Sequence, residues 1–333
     1  MALANAASGN PRQRVIAVVG PTAVGKTALA EELAVVLGGE IVSADSMQVY
    51  RGMDIGTAKP PPDERRVPYR LIDVVDPGTP FSAAVYQQLA REALDDISKR
   101  GRVPILCGGT GLYVRAALDD MQFPSGEQVS PSRGALERLA LEIGPDALHD
   151  RLNDIDPQSA GLIHPHNVRR TIRALEMAEE GVSYADQAAG FSERAAFYPT
   201  TYIGLDMPRE RLYARIDERV DAMIAAGLLD EVRRLLDEGF RDALTAAQAI
   251  GYKEFVPVIE QGLRLEDAVA AVKQATRRYA KRQLTWFRAD PRVHWIDLSD
   301  TRLPEHDGET SWPDAAQAAL TLIRQMEPGP SVL

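Results

Sequence analysis

The stretch Gly20-Pro21-Thr22-Ala23-Val24-Gly25-Lys26-Thr27 leaves this chain few choices of fold. It follows the apolar, β-branched run Val15-Ile16-Ala17-Val18-Val19 and precedes Ala28-Leu29-Ala30-Glu31-Glu32-Leu33-Ala34, a segment of helical character. A strand that turns through glycines into a helix aims its loop amides and the helix N-terminus at one point, where a phosphate is held. Lys26 supplies a point charge, and the Thr27 hydroxyl at the helix start can ligate Mg²⁺. A random match to the four fixed positions in a chain of this length is on the order of one per cent. The flanking strand, and a helix that closes at Gly38-Gly39, make a bland glycine turn rarer still. The feature predicts an α/β fold that binds a polyphosphate, without saying which one.

With 333 residues, 45% of them apolar, the chain can bury a full α/β core and one further subdomain. No apolar run approaches the roughly twenty residues that span a bilayer, so no membrane partner is expected. The start Met1-Ala2-Leu3-Ala4-Asn5 lacks the regions of a signal peptide, which predicts the cytosol. The single Cys107 ends the apolar run Val103-Pro104-Ile105-Leu106-Cys107 and reads as a small core residue rather than a nucleophile. Neither an internal repeat nor a zinc-type Cys/His spacing is present.

A net charge of −10 argues at first against a nucleic-acid partner. The charge is unevenly spread, however. Lys273, Arg277, Arg278, Lys281, Arg282 and Arg288 occur with no acidic residue among residues 273–288, leaving −16 for the remainder. His164, His166, Arg169, Arg170 and Arg173 form a smaller cluster of the same kind. Basic surfaces on an acidic body can bind RNA locally.

In chain order, residues 1–13 read as a loose tail and 14–122 as the first part of the core. The strand Glu40-Ile41-Val42-Ser43-Ala44-Asp45 ends in a carboxylate, at the strand end where open α/β sheets bind ligands, although Asp45 as a helix N-cap is the alternative. A loop runs from Arg51 to Pro60, a strand over Arg70 to Val75, and a helix from Ser82 to before Gly101 with Val85, Leu89, Leu94 and Ile97 as its apolar face. The next strand, Arg102 to Cys107, is followed by Gly108-Gly109-Thr110-Gly111 instead of the strand-end Asp that holds the Mg²⁺ shell of a standard ATPase. Thr110 is thus a candidate contact to substrate or pyrophosphate, or a helix cap.

Residues 123–198 read as a helical insertion broken at Gly144-Pro145, Asp156-Pro157 and Gly181. Arg169 and Arg173 share one helix face there, a pattern suited to RNA but also to a solvated surface. The core resumes over 199–300, with a helix pair from Arg209 to Glu238 interrupted at Gly227. On it Arg215 and Arg219 either reach the crevice or pair with Asp217, Glu218 or Asp221. Gln248-Ala249-Ile250-Gly251-Tyr252 sets an aromatic beside a glycine, suited to stacking on a base or to plain packing. The helix from about Leu265 to Phe287 carries Arg277 and Lys281 on one face and Arg278 and Arg282 on the next; His294 to Asp297 is an edge strand. Residues 301–333 form a tail with one helix near Ala315 to Met326.

Assembled, these pieces resemble the bacterial tRNA dimethylallyltransferases, or tRNA isopentenyltransferases, across residues 15–298. The resemblance rests on Gly20 to Thr27, Ser43-Ala44-Asp45-Ser46-Met47-Gln48-Val49-Tyr50, Gly52-Met53-Asp54-Ile55-Gly56-Thr57-Ala58-Lys59, Gly108 to Tyr113, Gly251-Tyr252 and Lys281-Arg282-Gln283-Leu284-Thr285-Trp286. It implies a P-loop NTPase-like parallel sheet flanked by helices with a helical insertion domain that meets tRNA. It implies transfer of a dimethylallyl group from dimethylallyl diphosphate to the N6 amine of the adenosine 3′ of a tRNA anticodon, with Mg²⁺ required. In such an enzyme Gly20 to Thr27 would hold diphosphate rather than ATP, Asp45 would be the general base, and Thr110 and Arg219 would line the channel. Ser46, Met47 and Gln48 would help bind the tRNA anticodon stem-loop. Apart from the resemblance, a monomer is expected.

The chemistry agrees with the residue types. An allylic diphosphate needs its developing charge neutralised, which Lys26, loop amides, Mg²⁺ and an arginine supply. The amine needs a proton acceptor, which an ionised Asp45 is. Three rivals stand beside this reading: a transferase acting on free AMP, ADP or ATP, a small-molecule kinase, and an RNA-binding protein whose loop senses nucleotide. The basic helix and the insertion favour tRNA.

Overall fold

The structure is a computed structural model and describes residues 13–123, 131–299 and 313–326. The expected tail over residues 1–12, and all of the carboxy-terminal tail except its helix, lie outside the described residues. The chain runs β1 (Val15–Val19), α1 (Lys26–Leu37), β2 (Gly39–Ser43), β3 (Tyr69–Arg70), α2 (Ala83–Lys99), β4 (Val103–Gly108) and α3 (Gly111–Leu118). Four helices follow: α4 (Pro131–Ile155), α5 (Pro157–Leu162), α6 (Val168–Glu179) and α7 (Tyr184–Ser192). Then come β5 (Thr200–Asp206), α8 (Arg209–Ala225), α9 (Leu228–Asp237), α10 (Val256–Gln261), α11 (Leu265–Arg288), β6 (Val293–Asp297) and α12 (Pro313–Met326).

The six strands form one parallel sheet in the order β3-β2-β4-β1-β5-β6. Parallel strands need both faces covered, which is why β1 is apolar throughout and buried at every residue. On one face Leu29 and Leu33 of α1, Ile216 of α8 and Ala319 and Ile323 of α12 pack over Ile16, Val18, Ile105 and Ile203. Val42 and Leu106, which alternate with that set, are fully buried as well. From β1 the chain moves one way to β2 and β4 and the other way to β5 and β6. This reversal is the switch point at which an open α/β sheet leaves a crevice beyond its strand ends.

The described residues divide into two compact units. One holds the sheet; the other comprises Ser82–Ala84 and Asp119–Ala196. In the second, Leu148 and Leu152 of α4 pack with Ile172 and Leu175 of α6. The break anticipated at Gly144 is real, with φ of 83° in the middle of α4. Asp156 caps α5 by accepting Ser159 N–H, and Asn167 caps α6 by accepting Arg170 N–H.

Two expectations need correction. The strand expected over Arg70 to Val75 shrinks to Tyr69–Arg70. Leu71 and Asp73 have φ of 61° and 57°, which no strand accommodates, and Val75 makes an isolated bridge to Tyr50. Asp73 is drawn instead to the buried Lys59 ammonium, 2.5 Å away, which also binds Asp54 at 2.7 Å. On α2, Val85 is exposed and Leu89 half-buried; the buried row is Tyr86, Ala90, Leu94 and Ile97.

Glu40 at the start of β2 is a buried carboxylate forked by Arg100, whose Nη2 lies 2.9 Å from Oε2, with Arg70 at 3.4 Å. The Arg100 hydrogen bonds hold its carboxyl below the usual range. A depressed carboxyl contributes stability above its unfolded pKa, about 4.3, and loses it as pH falls through the folded value. Arg100→Ala should therefore lower the melting temperature at pH 7. That deficit should shrink in thermal melts as the pH falls below the unfolded value and through the folded one.

Candidate active site

Gly20 to Thr27 joins β1 to α1, with φ of 145° at Gly20, 62° at Ala23 and 98° at Gly25. Glycine supplies two of these three left-handed positions without strain. Lys26 folds back so that Nζ donates to Pro21 O at 2.6 Å. The Arg215 guanidinium, reaching from α8, donates through Nε to Ala23 O at 3.0 Å.

Asp45 lies two residues beyond β2, and its alternative as a helix cap is not realised. Oδ1 instead accepts Met47 N–H at 2.8 Å, closing an Asx turn that fixes the carboxylate. Thr110 caps α3 with its carbonyl, which accepts Tyr113 and Val114 N–H, while its hydroxyl does separate work. Thr110 Oγ1 accepts Ser46 N–H at 3.1 Å and donates to Ser46 Oγ at 3.3 Å, tying the turn after β4 to the turn that carries Asp45. The strand ends must approach closely for this, and a Cβ on Gly108 would collide with Ala44 O. Gln48 is oriented between Ser43 Oγ, which donates to Oε1 at 2.9 Å, and Thr57 O.

Lys26, Thr27, Asp45, Gln48, Gly109 and Arg219 line one cavity of about 560 Å³. Both arginines of α8 thus turn toward the phosphate loop. Asp217 and Asp221, weighed as their surface partners, are engaged by Arg277 and Lys273 of α11. Cys107 lies in the cavity wall, and burial pushes its thiol up to about 12, in keeping with an inert core residue.

Of the two readings for Tyr252, packing is the one realised. Its ring is fully buried against Gly56, with no face left for a base. Its hydroxyl donates to Glu231 Oε1 at 2.6 Å, and Glu231 also accepts the N–H groups of Asp54, Ile55 and Gly56. Without that carboxylate three amides and a phenol would lose a partner, at about 1–3 kcal/mol for each one left buried and unpaired. Gly251 is buried at φ of 90°, and Gln248 alone of the three is exposed.

Of the α11 cations, Arg277 is bound through Nε to Asp217 at 3.0 Å and serves the contact between α8 and α11. Arg278, Lys281 and Arg282 are exposed and make no ion pair among the described residues; Arg282 lies over the Tyr279 ring. On α6, Arg169 and Arg170 are exposed, whereas Arg173 is 3.6 Å from Glu176, which Arg133 also approaches. Sequence reasoning missed Gln283 as a site residue. Its side chain is buried against the phosphate loop, and only its place in the Lys281-to-Trp286 motif hinted at it.

A glycine-rich loop at the central strand of a parallel sheet, sharing its cavity with a fixed carboxylate and an arginine, defines an α/β protein of the P-loop-like class. The sequence matches the profile described as IPP transferase over residues 48–290, a span that begins after the phosphate loop. It is 51% identical over 290 residues to a tRNA dimethylallyltransferase of Geobacillus kaustophilus (strain HTA426), covering 86% of this chain and 91% of that protein. A tRNA dimethylallyltransferase of Roseiflexus sp. (strain RS-1) is 51% identical over 313 residues, covering 93% and 98%. Among solved structures, the full-length tRNA isopentenylpyrophosphate transferase of Bacillus halodurans superposes with a TM-score of 0.68 at 43% identity, over 94% of this chain and 96% of that one. A eukaryotic dimethylallyltransferase acting on tRNA gives 0.74 at 30% identity, over 86% and 74%. The chain belongs to the IPP transferase family.

Proposed function

We propose that this protein transfers a dimethylallyl group from dimethylallyl diphosphate to the N6 amine of the adenosine 3′ of a tRNA anticodon, releasing diphosphate. The observation that carries the reading is the single cavity shared by Lys26, Thr27, Asp45 and Arg219. Membership of a family whose relatives are named for this reaction supports the substrates.

In the reaction the N6 lone pair attacks the allylic C1, the C1–O bond breaks toward the diphosphate, and the amine gives up a proton. Lys26, the amides of Gly20 to Thr27 and Arg219 take up the charge that develops on the leaving oxygen. Asp45 takes the proton; with Oδ1 held by Met47 N–H, Oδ2 is presented to the amine. Thr110 keeps that carboxylate in place through Ser46, and Ser46, Met47 and Gln48 border the acceptor base. Among the described residues no three His, Cys, Asp or Glu side chains gather as a metal site. The Thr27 hydroxyl in the cavity lining suits Mg²⁺ held chiefly by diphosphate oxygens and water, with that hydroxyl as protein ligand. Bound there, the ion would neutralise charge on the diphosphate.

An adenine stacked in an RNA loop reaches such a cavity only when flipped out of its stack. Arg278, Lys281 and Arg282 hold the RNA backbone, with Arg169 and Arg170 of the insertion as a second set. A monomer working in the cytosol completes the proposal. Arg278→Ala with Arg282→Ala should weaken tRNA binding and flatten log K against log salt by about 1 to 2 in slope. Filter binding across a salt series reads this, and an unchanged slope would put the RNA elsewhere. Offering tRNA and AMP together with labelled dimethylallyl diphosphate tests the acceptor: label on tRNA is expected, and label on AMP alone would overturn the choice.

A further inference from the structure

Inward of its exposed cations, α11 carries two uncharged polar side chains that meet the loops of the cavity. Gln283 is 5% exposed. Its Oε1 accepts Thr22 N–H at 2.8 Å, and its Nε2 donates to Gly109 O at 3.0 Å. One amide therefore ties the loop after β1 to the turn after β4. The approach is close: a Cβ on Gly109 would force Nε2 to shift from its place. One turn earlier the Tyr279 phenol interacts with both Thr110 and Gln283. Burial pushes that phenol up to about 12, so it acts at neutral pH as an uncharged hydrogen-bonding group. Thr110 in turn holds Ser46, the residue next to Asp45.

The inner face of α11 thus touches the diphosphate loop through Thr22 and the Asp45 turn through Thr110. Its outer face presents Arg278, Lys281 and Arg282. A plain space-filling role needs only an apolar side chain of this size. Here both polar ends are committed to main-chain groups of two different loops, which fixes their spacing.

We propose that Gln283 is a positioning residue that couples the two substrates. It sets the phosphate loop against the Gly109-Thr110 turn, and RNA bound to the outer face of the same helix stiffens that arrangement and tightens binding of the allylic diphosphate. The inference rests on the function proposed above. In reaction terms Gln283 forms and breaks no bond.

Gln283→Met keeps the length and apolar bulk of the side chain and removes both hydrogen bonds. The full chain, native and variant, is titrated with a non-reactive thiolodiphosphate analogue of the donor, with and without a tRNA anticodon stem-loop, and assayed for transfer. In the native protein the stem-loop should tighten the analogue by about fivefold or more. In Gln283→Met that factor should fall to within twofold, and kcat/KM for the donor should drop at least about tenfold. Stem-loop affinity without the analogue should stay close to native, and the melting temperature should fall by no more than two lost hydrogen bonds explain. A variant that keeps both coupling and kcat/KM overturns the inference, as does a native protein without coupling. Loss of both ligands' affinities together with a lowered melting temperature would show a merely structural role and overturn it too. A native protein that transfers nothing to tRNA would instead bring down the proposed function, and this inference with it.

Discussion

Asp45→Asn is expected to lower kcat for dimethylallyl transfer by about 10³ while leaving tRNA affinity within about threefold. The amide has the shape of the carboxylate, and its oxygen can still accept Met47 N–H, the bond that shapes the turn. What it cannot do is receive the N6 proton as the new C–N bond forms. The KM for dimethylallyl diphosphate should hardly move, because the lost interaction belongs to the transition state. Single-turnover transfer measured beside filter binding separates the two effects. A variant within tenfold of native turnover would remove Asp45 from the role of base.

Lys26→Met should cost a similar factor, about 10³ in kcat/KM for dimethylallyl diphosphate, but distributed differently. The diphosphate is already charged in the ground state and gains further charge as C1–O breaks. KM should therefore rise as well as kcat fall, unlike the pattern at Asp45. In the structure Nζ donates to Pro21 O, a neutral acceptor that a diphosphate oxygen would readily replace. Steady-state kinetics in both substrates reads the split. An unchanged donor KM would mean that the cation does not touch the diphosphate, and the loop would lose its assigned ligand.

Features of this fold that depend on neighbours in sequence were legible from sequence. The loop from Gly20 to Thr27 carries its own turn chemistry, and the strands beside it are buried runs that no helix pattern competes with. Features decided by distant partners were not. The residues from Arg70 to Val75 have strand composition, but Asp73 is claimed by Lys59, fourteen positions earlier, and the backbone turns to reach it. Tyr252 beside a glycine looks the same whether it awaits a base or fills a core. The choice was made by Glu231, 21 residues away, which binds its hydroxyl. Counting the cations of α11 could not separate Arg277, bound to Asp217, from Arg278 and Arg282, which face solvent. Gln283 was hidden among them because an uncharged residue in a basic run draws no notice, yet it is the one that reaches the phosphate loop.

On the function proposed here the loop from Gly20 to Thr27 holds a leaving diphosphate and needs no ATP. The direct measurement supplies labelled dimethylallyl diphosphate, unmodified tRNA and Mg²⁺ with ATP rigorously excluded, then digests the tRNA to nucleosides. Label in N6-dimethylallyladenosine from the position 3′ of the anticodon, with one diphosphate released per group transferred, is the expected result. Label that enters tRNA only when ATP is added, or no label in tRNA while ATP is hydrolysed or donates phosphate, would contradict it.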